Sequence, residues 1–151
     1  MDLERFKQVA GGDREDLVVF LRSLDKMLPR GLPRIVAEED AKVWRQVDCT
    51  SCANCCKTMT PVFTKADVKR AATFLRMSPK DFFGKWLEAE EGTGKIINKQ
   101  TPCQFLQDDK CTIYEVRPRD CAGFPHHNKR PFDLYNETFI QNVLVHDKKY
   151  N

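Results

Sequence analysis

Cysteine is the residue type best placed to do chemistry in this chain. Of seven cysteines, four fall together in Cys49-Thr-Ser-Cys52-Ala-Asn-Cys55-Cys56, and Cys103, Cys111 and Cys121 form a second, looser group. A thiolate is a soft, strong donor for zinc and for iron–sulfur centres, and two intervening residues let the backbone curl round one ion so that both sulfurs face it. Calcium and magnesium want oxygen donors and are disfavoured. Adjacent Cys55 and Cys56 are expected to serve two directions, as ligands of two metals or of one metal with a free or bridging thiolate. Two tetrahedral zinc ions sharing one thiolate need seven sulfurs, the number present. A [4Fe-4S] cluster takes four of them and leaves three.

Two other readings of the cysteines compete. Reduced thiols packed as small hydrophobes fit poorly, because Thr50, Ser51 and Asn54 around them are polar. A disulfide framework belongs to an oxidising compartment, and an odd count leaves one thiol over. The N-terminal MDLERFKQVAGGDRED lacks the charged-then-apolar pattern of a secretory signal, and no apolar run nears the roughly 20 residues that span a bilayer. A soluble, cytoplasmic protein with no membrane partner is expected, and the sequon Asn136-Glu137-Thr138 is read as fortuitous. His126 and His127 follow Cys121 and are alternative zinc ligands, although a solvent-facing pair after a proline turn is the preferred reading. Asp108, Asp109 and Asp120 read as turn residues. No carboxylate pair sits in a recognisable catalytic motif, so no catalytic residue is assigned and enzymatic activity is left open.

Composition bounds the class. Of the 151 residues 41% are hydrophobic and 31% charged, the balance of a folded globular chain. The 25 basic and 22 acidic residues are dispersed, so no basic stripe marks a nucleic-acid face. One domain is expected, with an N-terminal helical segment over 1–47, a cysteine-cluster core over 48–127 and a C-terminal segment over 128–151.

The elements that must position the cysteines follow from apolar spacing and breakers. Asp13 is placed to cap a packing helix carrying Leu17, Phe20, Leu21, Leu24, Met27 and Leu28, ending before Pro29. After Pro29, Gly31 and Pro33 a second helix runs from Ile35 to Val47 into the cysteines, with Trp44 in the core. Thr64 and Asp67 resemble a capping box that starts a helix through Val68, Ala71, Ala72 and Leu75, stopping near Met77. Ser78, Pro79 and Asp81 launch another, carrying Phe82, Phe83, Trp86 and Leu87. Residues 88–94 read as an exposed connection, Ile96 and Ile97 as a short strand. Cys103 to Leu106 and Cys111 flank a turn over 107–110, a small hairpin without the glycine of the best two-residue turns. Residues 128–133 read as irregular, and 138–145 as a helix or a strand. The predicted fold class is α+β and mainly helical: a small irregular metal-organised core with a short hairpin, flanked by helices.

Taken together, Cys49, Cys52, Cys55, Cys56, then Cys103-Gln-Phe-Leu106, then Cys111-Thr-Ile-Tyr114-Glu-Val-Arg117-Pro118-Arg-Asp-Cys121 and Phe124-Pro125 resemble the CxxCxxCC cysteine-cluster family of zinc- or iron-chelating domains. The resemblance spans Cys49 to Pro125 and implies that all seven cysteines are candidate ligands. A related motif in a flagellin lysine methylase accompanies an iron–sulfur cluster, which keeps iron in contention. Ala53 stands where the family usually has glycine, Gln104 where proline often follows the cysteine, and Ala122 where arginine is common. Tyr114 and Arg117 match the pattern and are candidate cofactor-binding residues. Arg117 is expected to donate hydrogen bonds to a thiolate or a backbone carbonyl, its alternative being a surface arginine in a turn fixed by Pro118.

Three functions are compatible with these residues. One is a protein that chelates zinc or an iron–sulfur cluster in a structural or accessory role, with a protein partner left open. Another is a redox or catalytic iron–sulfur protein assisting a modifying enzyme. The third, a nucleic-acid-binding zinc module, is disfavoured by the dispersed charge.

Overall fold

Proline and glycine punctuate the chain into short elements, which a computed structural model describes over residues 14–24, 26–46, 48, 53–126 and 136–140. The chain divides into two compact units, Met1–Asp48 with Pro125–Asn151, and Cys49–Phe124.

The first unit holds helices α1 (Arg14–Ser23) and α2 (Leu32–Trp44). Helix α1 is shorter than its apolar spacing predicts. Met27 and Leu28 fall beyond its end and are exposed, as are Leu17 and Phe20 within it. Helix α2 begins three residues before Ile35 because Pro33 does not break it. In the first turn of a helix an N–H has no partner to lose, and Pro33 sits there behind Gly31, whose φ of 78° closes the entry. Trp44, expected in the core, is 39% exposed. Its Nε1 instead donates to Asp40 Oδ1 at 3.1 Å, and α2 buries no residue fully. The packed centre of this unit is Leu24 against Phe139, with Leu21, Leu32 and Val36 beside them. Phe139 belongs to a helical stretch over 136–140, which settles helix over strand for that part of 138–145. Asn136 is buried there, its Nδ2 donating to the Leu21 carbonyl at 2.6 Å. A glycan has no access to such a side chain, in keeping with a fortuitous sequon. Residues 128–133, with Asp13 and Val47, lie outside the described residues.

The second unit carries the remaining elements: α3 (Asn54–Thr58), β1 (Val62–Phe63), α4 (Lys65–Phe74), α5 (Pro79–Trp86), β2 (Leu87–Ala89), β3 (Ile96–Asn98), β4 (Leu106–Gln107), β5 (Lys110–Cys111), a 3₁₀ turn (Tyr114–Val116) and α6 (Arg119–Ala122). Thr64 caps α4 as predicted. Its hydroxyl accepts from the Asp67 N–H at 3.1 Å, and the Asp67 carboxylate accepts from the Thr64 N–H at 2.9 Å. Ser78 caps α5 in the same way, accepting from the Asp81 N–H at 3.1 Å with Pro79 at the first helical position. The stretch expected to be an exposed connection is part strand: β2 pairs with β3 in an antiparallel hairpin, Leu87 opposite Asn98, and β1 joins on the other side of β3. Leu87, expected on the helix that carries Phe82, Phe83 and Trp86, is instead the first residue of β2, because it pairs with Asn98, and it is fully buried.

These elements share one core of Phe63, Val68, Ala71, Ala72, Phe82, Leu87, Phe105 and Ile113. Phe82 lies at its centre, stacked on Phe105 at 5.7 Å between centroids and meeting Trp86 edge-on at 5.2 Å. Burying one such ring contributes about 2–3 kcal/mol. The architecture is a mainly helical α+β fold with two small antiparallel sheets. Among the described residues no helix is long and apolar enough to cross a membrane.

Candidate metal centre

Four pieces of this scaffold deliver the five described cysteines. Cys55 and Cys56 are consecutive in α3, whose N-cap, Ala53, is held at φ 53°. Cys103 follows a cis Thr101–Pro102 bond, and its N–H donates to the Cys56 carbonyl at 2.8 Å, joining the two cysteine groups through the backbone. Cys111 ends β5 of the predicted hairpin, opposite Leu106. The turn between its strands is made by Asp108 and Asp109, at φ 49° and 60°. Both central residues at positive φ give the type I′ geometry that matches strand twist, and aspartate tolerates it better than most side chains. Cys121 rides on α6. All five are thiols rather than disulfides.

The five border one pocket. Its cavity volume is about 40 Å³, about three times what one water needs. Phe63, Phe105 and Ile113 form its apolar wall, so the core and the pocket share the same rings. Adjacent Cys55 and Cys56, expected to face two directions, border the same cavity and interact through their thiols. Among the described residues no three His, Cys, Asp or Glu side chains are drawn close enough to hold a single ion. Cys49 and Cys52 lie outside the described residues.

Electrostatics in the pocket penalises thiolates. The Cys55 thiol beside Cys56 and burial push Cys56 well above the ordinary thiol range. Burial, followed by the fields of Cys56, Cys103 and Cys111, pushes Cys121 far up. Burial raises Cys103 and Cys111 as well, against hydrogen bonds from the Phe105 N–H and Asn98 at Cys103 and from the Ile113 N–H at Cys111. The field of Cys56 thus reaches Cys103, Cys111 and Cys121, while Cys55 acts on Cys56. Such a donor set fits a soft cation, whose charge turns the same crowding from repulsion into ligation.

Arg117 and Tyr114 border this pocket too. The guanidinium lies over the Tyr114 ring, 3.8 Å from its centroid, and Nη1 donates to the Tyr114 carbonyl at 2.8 Å. Of the two partners expected for Arg117, the structure pairs it with a backbone carbonyl, and its charge lowers the proton affinity of Cys111. Asp109 makes an ion pair with Lys57 of α3 at 2.5 Å, and Asp120 accepts from the Val62 N–H at 3.1 Å. The three aspartates are therefore turn and bracing residues. His126 is 8% exposed, not solvent-facing as expected, with φ 72°. It belongs to the other unit, and His127 lies outside the described residues.

Sequence reasoning missed two residues. Asp67, read only as half of a capping box, is fully buried and also accepts from Arg70 Nη2 at 2.6 Å and from the Arg119 N–H at 3.3 Å, at the start of the Cys121 helix. Asn98, at the end of β3, donates through Nδ2 to Cys103 Sγ at 3.3 Å. Nothing in its local pattern marks it, although it precedes Cys103 by only five residues.

A family model, CxxCxxCC, described as "Putative zinc- or iron-chelating domain", matches residues 48–140. Neither a curated protein nor a solved structure matches the chain at a significant level.

Proposed function

The chain belongs to the CxxCxxCC family, and from that premise we propose that the second unit holds zinc or an iron–sulfur cluster through cysteine thiolates, as a structural or accessory metal site. The observation that carries this reading is the convergence of Cys55, Cys56, Cys103, Cys111 and Cys121, from two distant stretches, on a single pocket. Cys56, Cys103, Cys111 and Cys121 are the set of four that a tetrahedral zinc site or a [4Fe-4S] cluster requires. Cys49 and Cys52, just upstream in the same motif, supply further sulfurs for a second or shared ion.

Cys55, Cys56, Cys103, Cys111 and Cys121 would hold the ion in this pocket, where the apolar wall would limit competition from water. Tyr114 and Arg117 act around the thiolates: the hydrogen bond to the Tyr114 carbonyl fixes the guanidinium, and its positive charge offsets thiolate charge at Cys111. When bound, the metal supplies the positive charge that lets several buried thiolates coexist.

Protein purified without oxygen is to be assayed for zinc, iron and sulfide per chain, with its visible spectrum. Colourless protein with stoichiometric zinc is one supporting result. Brown protein with iron, sulfide and a band that bleaches on reduction is the other, and it favours the redox branch. Cys121→Ser lowers bound metal and thermal midpoint together, whereas unchanged metal content contradicts its place in the set.

A further inference from the structure

We infer that Asn98 is a positioning residue for the metal centre: its side-chain N–H, aimed by Gln104, donates to the sulfur of Cys103 and holds that sulfur toward the ion. The inference rests on the metal-binding reading above and adds a residue that none of the cysteine motifs contains.

The direction of the hydrogen bonds is fixed by a chain of partners. Which end of an amide faces a neighbour is decided by what that neighbour can do. The Trp86 carbonyl can only accept, so Gln104 turns its Nε2 toward it, at 3.2 Å. The same Nε2 lies 3.0 Å from Asn98, which must present its Oδ1. Asn98 is left with its NH₂ end toward Cys103, Nδ2 to Sγ 3.3 Å. Asn98 is 3% exposed, so no water competes for the donor. The ends of this relay stand on packed elements: Trp86 closes α5, and Asn98 closes β3, in register with fully buried Leu87.

An N–H donor stabilises a thiolate more than a thiol, because a hydrogen bond to an ionised acceptor is roughly twice as strong as one to a neutral group. The contact therefore strengthens once the ion has displaced the proton, and it orients the sulfur as outer partners orient metal ligands in general. Leucine at 98 keeps the approximate volume and removes the donor. Aspartate turns a donor into an acceptor and places negative charge against the sulfur.

The full-length chain and its Asn98→Leu, Asn98→Asp and Gln104→Leu variants are to be titrated anaerobically with Co²⁺ and back-titrated with Zn²⁺. The Asn98 side-chain amide is followed by NMR in wild-type protein loaded with a spin-active cadmium isotope. Zinc affinity is expected to fall on the order of 10–100-fold in Asn98→Leu, further in Asn98→Asp, and less in Gln104→Leu, with the circular dichroism of the fold retained. In the wild type one Asn98 amide proton should show scalar coupling to cadmium through the Cys103 sulfur, a signature that packing alone does not produce. Should Asn98→Leu fail to fold, that coupling decides the matter. A wild-type chain that takes up none of the three metals overturns the metal-binding reading itself. Wild-type affinity in Asn98→Leu, or no coupling in cadmium-loaded protein, overturns only the role of Asn98.

Discussion

Ala53 shows how a single residue can be held at a compromise. At φ 53° it occupies the left-handed region, which costs a residue with a Cβ roughly 1–2 kcal/mol. The residue is 4% exposed, and burying its methyl returns about 0.8 kcal/mol, while glycine there would lose more chain entropy on folding. The terms nearly cancel, so alanine is tolerated at this left-handed position. A β-branched side chain keeps the strain and adds bulk to a buried N-cap beside Cys55 and Cys56. Ala53→Val is expected to destabilise the fold by about 2–3 kcal/mol in urea unfolding, with Ala53→Gly within about 1 kcal/mol of the wild type. Equal stabilities for all three would remove the strain argument. At this scale the cysteines were legible from type and spacing alone. Asn98 was not, because a lone asparagine five residues before a cysteine carries no signal until the fold shows which atom it presents to the sulfur.

Among elements, those with local determinants were readable and those set by tertiary pairing were not. Thr64 with Asp67, and Ser78 with Pro79, announce helix starts through contacts three residues apart, and both helices begin there. Leu87 to Ala89 carries no comparable mark; it is a strand because β3 pairs with it. Trp44 misled because helical spacing identifies a stripe without saying what covers it. Asp67 ties elements together beyond its cap. Burial alone would raise its pKa, but hydrogen bonds from the Thr64 side chain and backbone, Arg70 and the Arg119 N–H outweigh that and hold it below the usual carboxylate range. A lowered folded-state pKa adds stability that is present above the unfolded value of about 4 and lost as pH falls through the folded one. Asp67→Asn is therefore expected to cost about 2–3 kcal/mol at pH about 7, and the gap to the wild type should narrow as pH falls below about 4. Urea unfolding at neutral and acid pH checks this, and a gap independent of pH would refute it.

For the whole molecule, the proposed metal site sets metal and proton in competition for one set of thiols. The folded metal-free chain holds Cys56, Cys103, Cys111 and Cys121 with raised pKa values, so their stabilising contribution is complete below the unfolded thiol value of about 8.5 and is lost as pH rises toward the folded ones. The metal-free fold should thus weaken above pH about 8.5. Metal binding must displace those protons, so affinity should rise about tenfold per pH unit for each proton released. Free zinc at about 100 times its dissociation constant should add about 2.7 kcal/mol to stability, removable by a chelator. A thermal midpoint indifferent to zinc and to chelator across that pH range would break the linkage. The general class of the fold and membership of a metal-chelating family were legible in the sequence at this scale. The meeting of both cysteine groups at one pocket became visible only through the Cys103-to-Cys56 backbone bond and the aromatic core behind it.

X-ray absorption at the metal edge of anaerobically prepared protein tests the convergence of these sulfurs most directly. The account predicts a first shell dominated by sulfur, at about 2.3 Å if the metal is zinc, or an iron–sulfur shell with a short iron–iron neighbour if it is a cluster. A shell of oxygen and nitrogen, or protein that carries no metal and joins its cysteines in disulfides, would contradict it.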